Sequence, residues 1–258
     1  MNTPSENVDQ KRTETAWAPP TPRMKVGEMP AEARNINVDG RQPMSPLQGF
    51  GQMWQKTFKV RLSGVDKSPA EVMRVWKENF PSFQPPENRF YPSMAGIKPG
   101  EVLLIEAKVP PFAGMPSVLP VSTGVMVLYA DDTSFTVMTP EGHPEAGWNT
   151  FSVYEEDGVL VAQCQSLCRP NDPLYDFFNR FMGASSQQDK IWIHVLDSVA
   201  GHFGVQSQVT TAKILVDPKV QWAYARNIWQ NAAIRTMFYL LGAPLRWLRG
   251  KSRPRAKA

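Results

Sequence analysis

Cysteine and histidine are scarce in this chain of 258 residues, which has two of the first and three of the second. Cys164 and Cys168 fall on one alternating segment. Four residues of strand cover roughly 13 Å, beyond the ~7 Å a disulfide allows between Cα atoms. Both are therefore expected as free thiols, which fits a cytoplasmic protein. Their spacing is not that of a zinc or redox motif. His143, His194 and His202 fall on a loop, a helix and a helix end, so they make no metal site by spacing. The strand-rich centre contains no nucleotide-binding loop and no nucleophile elbow. No metal or other cofactor is expected. The N-terminus carries Glu6, Asp9 and Glu14 and no apolar run, so no secretory signal is read there.

Acidic residues are absent beyond Asp217, whereas nine basic ones lie from Lys219 onward. The whole chain has 28 Lys and Arg against 24 Asp and Glu; removing those nine leaves 19 basic residues against 24 acidic, a body of net charge −5 and a tail of +9. A basic tail on an acidic body suits an anionic surface. The tail lacks the length for a membrane span. Its most apolar part, Ala232–Leu248, covers ~26 Å as a helix against a ~30 Å hydrocarbon core, and it contains Arg235, Arg246, Gly242 and Pro244.

What is present is strand alternation. Val121–Ala130, Thr133–Thr139, Trp148–Tyr154 and Val159–Arg169 form a meander. Asp157-Gly158 between the last two is a strong hairpin signal, because glycine accepts the positive φ of the turn. Upstream, Met53–Leu62 and Glu101–Val109 read as strands, the latter apolar through Val102–Ile105. Between them Ser68-Pro69-Ala70-Glu71 is a capping box that opens a helix ending before Pro81. Residues 110–120 read as a Pro-rich loop. Downstream, Asn171-Asp172-Pro173 starts a short helix. A longer one runs from about Gln187 to His202, with Trp192, Val195, Leu196, Val199, Ala200 and Phe203 along one face. Val209–Val216 is a further strand or an extended crossover, and a last helix follows Pro218. Residues 1–46 hold seven prolines and no periodicity, so a disordered arm is expected there. The resulting division is an arm at 1–46, a domain at 47–205, and a linker with a helical tail at 206–258.

This order, a strand, a helix, further strands and then a long amphipathic helix, resembles the START-like or helix-grip superfamily. The resemblance implies an α+β fold in which a curved antiparallel sheet grips a long helix over an apolar cavity. It narrows at Gly142-His143-Pro144-Glu145 and at Arg169-Pro170 with Pro173-Leu174, which look like motifs of a family within that superfamily known only as a domain of unknown function. The resemblance covers about residues 47–205 and implies a ligand-cavity fold without a settled activity.

Candidate site residues follow from the pattern. His143, between Glu141 and Glu145, suits acid–base work, as an imidazole titrates near neutrality and a carboxylate fixes its tautomer. The competing reading is that His143 and Glu145 pin their loop through the backbone. His194 and Asp197 are read as a solvated pair on a helix surface. Gln163, Gln165 and Arg169, with Trp148 on the neighbouring strand, are the candidate ligand-binding residues. Leu160, Ala162, Cys164, Ser166 and Cys168 occupy the opposite face, and a shift of one residue inverts the choice. Trp222, Trp229, Arg235, Arg246, Trp247, Arg249, Lys251, Arg253 and Arg255 are the candidate membrane contacts.

Three functions are carried forward. The first is a non-enzymatic protein that binds a hydrophobic or amphipathic small molecule or lipid, located in the cytoplasm and peripheral on the inner face of a membrane. The second is an enzyme on the same fold using His143 and Glu145. The third is an interaction subunit whose tails dock on a protein partner and whose cavity is filled by side chains. No recognised nucleic-acid reader accompanies the basic end.

Overall fold

The structure is a computed structural model that describes residues 15–109 and 119–243. Most of the loop expected at 110–120 lies outside the described residues, as do the candidate membrane contacts Arg246, Trp247, Arg249, Lys251, Arg253 and Arg255.

Eight strands form one curved antiparallel sheet. They are β1 (Met53–Leu62), β2 (Asn88–Pro92), β3 (Val102–Val109), β4 (Leu119–Ala130), β5 (Ser134–Met138), β6 (Glu145–Glu156), β7 (Val159–Pro170) and β8 (Thr210–Asp217). Their spatial order is β2-β3-β4-β5-β6-β7-β1-β8. At the β6–β7 turn Asp157 and Gly158 both take positive φ, 53° and 72°, as the sequence predicts. Among the described residues the α-helices are α1 (Pro69–Glu78), α2 (Pro173–Phe181), α3 (Ala184–His202) and α4 (Ala232–Leu241). Ser68 caps α1 reciprocally: its backbone N–H donates to Glu71 Oε2 at 2.8 Å, and its hydroxyl accepts from Glu71 N at 3.3 Å. Asp172 caps α2, accepting from Leu174 N and Tyr175 N at 2.9 and 3.0 Å.

α1 and α3 pack on the concave face of the sheet. Trp192, Val195, Leu196, Val199 and Ala200 are buried there, so the stripe read from the sequence is the face that α3 presents to the sheet. This is a helix-grip fold. The space beneath α3 is occupied by rings. Phe135 stacks on Phe151 at 4.6 Å, and Trp76, Phe80 and Trp192 meet Phe151 edge-on at 5.3 to 5.6 Å.

The outer face carries a second layer, and here the structure differs from the disorder expected over 1–46. Trp17 bridges to Tyr129, and Met24, Met29, Ala33 and Val38 are buried against Val102, Leu104 and Met126. The prolines of this arm fix φ along a path on which Met24, Met29, Ala33 and Val38 reach the sheet. Its first 14 residues lie outside the described residues. The apolar run in β3 has the same cause. Leu103 and Ile105 face the inner core while Val102 and Leu104 face the arm, so that strand is covered on both sides.

Residues beyond 205 also join the body. β8 extends the sheet beyond β1. α4 lies on the outer side of β4, with Ala232 and Thr236 buried. The Thr236 hydroxyl accepts from Ser122 N and from Asn37 Nδ2, each at 3.1 Å, tying arm, sheet and last helix together.

Candidate functional site

Alternation along β1 turns Lys56, Phe58, Val60 and Leu62 to the concave side, all of them buried. β7 turns Leu160, Ala162, Cys164, Ser166 and Cys168 to that same side. Both strands therefore run from apolar to polar toward one end of the grip, where the sheet meets α2 and the start of α3. A cleft of about 190 Å³ opens there. Trp54, Lys56, Ser166, Cys168 and Glu145 line it from the sheet, and Asp176, Asn179, Arg180 and Ser185 line it from the helices.

Lys56 is the ion buried at this cleft. Its ammonium donates to Ser185 Oγ, Gln188 Oε1 and Asp189 Oδ1, each at 3.0 Å. The second oxygen of Asp189 takes the ammonium of Lys213 from β8. Gln188 in turn donates to the Glu145 carboxylate. Removing a lysine from water is costly unless every donor is used, and this chain of partners uses all three. On α2, Arg180 holds Asp176 at 2.8 Å. Gln52, Ser166 and Asn179 are neutral polar side chains on the cleft wall, beside Ser185, whose hydroxyl accepts from Lys56. Asn149, opposite Ser166 in the β6–β7 register, keeps a buried side-chain oxygen with no hydrogen-bond partner among the described residues.

Cys168 on this wall and Cys164 in the core behind it are not poised to react. Burial pushes both thiols well above their ordinary range, and the nearby Glu145 carboxylate adds to the effect at Cys168. A thiol held protonated is a poor nucleophile and a poor metal ligand.

The structure parts His143 from Glu145. The Glu145 carboxylate faces the cleft and Gln188, but the His143 ring does not line the cleft. Its Nδ1 lies 3.0 Å from the carbonyl oxygen and 3.1 Å from the backbone nitrogen of Glu145, so the ring is held against the backbone of its own loop. Burial lowers its pKa to about 4, against a smaller opposing effect of the backbone contact with Glu145. Glu141, the other flanking acid, accepts from Gln42 N at 3.2 Å. The geometry is that of a pinned loop.

That loop has a second task, which sequence reasoning missed. Gly142 has φ +83°, and a Cβ there would lie 2.0 Å from the carbonyl oxygen of Gln230. Its own carbonyl accepts from Ala232 N at 2.8 Å. Nearby, Asn231 Nδ2 donates to Asp172 at 2.8 Å, and Asn227 Nδ2 donates to the Asn171 carbonyl at 3.0 Å. The two motifs that carried the family resemblance thus form one junction for the C-terminal segment. A Gly flanked by turn residues signalled a close backbone approach, without saying to what.

The remaining expected residues lie away from the cleft. Trp148, Gln163 and Gln165 sit on the outer face, where Gln165 donates to Thr57 Oγ1 and Gln163 accepts from the Tyr154 hydroxyl. Arg169 is buried beneath Gly49 and pairs with Asp217 at 2.8 Å. The inward face is the alternative one, with Ser166 and Cys168. Trp222 and Trp229 are 76% and 82% exposed. Arg235 is also exposed, but its Nε reaches Asn37 Oδ1 at 3.3 Å. Among the described residues no helix is long and apolar enough to cross a membrane, and no group of His, Cys, Asp and Glu is placed to hold a metal ion.

No protein-family model matches the chain, and no curated protein matches it. Among solved structures, the KanY protein is similar over 60% of this chain and 99% of its own, with 13% identity and a TM-score of 0.43. Protein Ms6760 from Mycobacterium smegmatis is 14% identical over 58% of this chain and 90% of its own, with a TM-score of 0.38. A major latex-like protein from Panax ginseng is 11% identical over 59% of this chain and 99% of its own, with a TM-score of 0.34. At such values none of them speaks to activity.

Proposed function

We propose that this is a binding protein whose ligand is a small amphipathic molecule, or one end of a longer one, held in the cleft between β1, β7 and α2. The observation that carries this reading is the filled centre of the grip beside an open polar end. The apolar part of the ligand lies against Trp54 and Pro170, and its polar group meets Ser166 and Asn179. The cleft is smaller than the roughly 300–1,000 Å³ usual for drug-sized ligands, so a long molecule inserts one end. The polar groups recognise the ligand. Native mass spectrometry of freshly purified protein tests this. A bound adduct is expected in the wild type and lost in Ser166→Trp, with the fold of the variant confirmed by circular dichroism. A bare mass in the wild type, or an adduct unchanged in the variant, counts against the cleft.

The exposed aromatics favour a second element of function, association with an anionic membrane. Trp222, Trp229, Phe238 and Leu241 are each at least 70% exposed. Six basic and no acidic residues follow within 244–258. Phe177 and Phe181 stand exposed on α2, the helix whose Asp176, Asn179 and Arg180 line the cleft, so an apolar surface borders the ligand's entrance. Sedimentation with phosphatidylserine vesicles should weaken as salt rises, since each cation at the surface contributes about 1 kcal/mol. Trp222→Ser with Trp229→Ser should lower the binding further. Equal binding to neutral vesicles would remove the electrostatic part of this reading.

A further inference from the structure

The two edges of the sheet are unlike. β2 is five residues long, carries the exposed Arg89 and ends on Pro92. A short strand, an exposed charge and a proline are the usual guards against pairing with another chain. β8 is eight residues long, contains no proline, and is exposed throughout Thr210–Val216. Its ladder with β1 is unbroken from Thr210 to Leu215. Half of its backbone donors and acceptors point away from β1, toward a missing neighbour.

The charge that normally defends such an edge is occupied. Lys213 is the sole basic residue of β8, and its ammonium is drawn to Asp189 of α3 on the concave side. The opposite side of the strand presents Ala212, Ile214 and Val216, with Ile214 57% exposed. An apolar row on an unguarded edge leaves both its side chains and its backbone without a partner among the described residues.

We propose that β8 pairs antiparallel with β8 of a second copy of this chain, about a twofold axis through Ile214. Antiparallel pairing about an axis normal to the sheet keeps faces together, so only residues of like parity come opposite one another. An axis through Lys213 sets two lysines side by side. An axis through Ile214 sets Ile214 beside its own copy, Ala212 beside Val216, and Lys213 beside Leu215. That register opposes no like charges, and it merges two rows of Ala212, Ile214 and Val216 into one apolar stripe across the joined sheets. The self-complementarity of this register is the reason for committing to a second copy over a foreign strand.

The test uses the full chain and two opposite substitutions at one site. Wild type should sediment as a dimer at tens of micromolar. Ile214→Lys and Ile214→Glu each place like charges across the axis, and each should weaken the dimer at least about tenfold. Because Ile214 is exposed on its strand, both variants should keep the wild-type circular dichroism and cooperative melting. Mixing the two variants in equal amounts should restore a dimer, since Lys and Glu then face each other. A monomeric wild type overturns the proposal. Two variants that dimerise like wild type place the interface elsewhere, and folded variants that stay monomeric when mixed overturn the register.

Discussion

The imidazole of His143 is neutral at pH 7 because burial lowers its pKa to about 4, whereas in the unfolded chain it titrates near 6.5. Between those values the unfolded state binds the extra proton, so stability falls as pH drops from ~6.5 to ~4, by at most about 1.4 kcal/mol per pH unit. Other groups overlap. Burial raises the Asp172 carboxyl, which acts in the opposite sense above its ordinary value; the Arg169 contact lowers Asp217, whose window lies below it. His143→Asn isolates the histidine, because the Asn oxygen can accept from Glu145 N without titrating. Urea midpoints between pH 4 and 7 should show a shallower slope in the variant; equal slopes would mean that His143 is solvated. The Gly-His-Pro-Glu spacing was legible as a pinned loop. That Gly142 is needed for the close approach of Gln230 was not, because the two are separated by most of the C-terminal half of the chain.

At the scale of elements, local rules sufficed where one face of an element is buried by its neighbours in the chain. The α3 stripe, the α1 capping box and the β6–β7 turn all lie where their periodicity and turn chemistry put them. Leu196 is fully buried on α3, so Leu196→Ala should cost about 2–5 kcal/mol in denaturant unfolding. A loss within ~0.5 kcal/mol would place it at the surface. The face of β7 was not legible. Its outer side carries Gln163 and Gln165 but also Val161 and the buried Arg169, and its inner side mixes cysteines and Ser166 with Leu160. With apolar and polar groups on both faces, alternation identifies a strand without saying which side meets α3.

At the scale of the whole molecule, the segments before and after the expected 47–205 domain meet on the outer face of the sheet. Asn37 of the arm donates to the Ser122 carbonyl at 2.8 Å and to Thr236 of α4, and Asn231 satisfies Asp172. A chain ending at Asp217 strands these buried groups, at about 1–3 kcal/mol each. It should lose at least about 3 kcal/mol by thermal or urea unfolding. A truncated protein as stable as the full chain would show that α4 is dispensable. What the sequence by itself determined is what depends on neighbours along the chain: strand alternation, caps, the Asp-Gly turn, the helix stripe, and through their order the helix-grip fold. Only the tertiary structure decided which face of β7 lines the cleft, that rings fill the grip, and that a Pro-rich arm and α4 cover the outer sheet. Those outcomes rest on pairings such as Asn37 with Thr236 and Gly142 with Gln230, whose partners are so far apart in the chain that no local spacing encodes them.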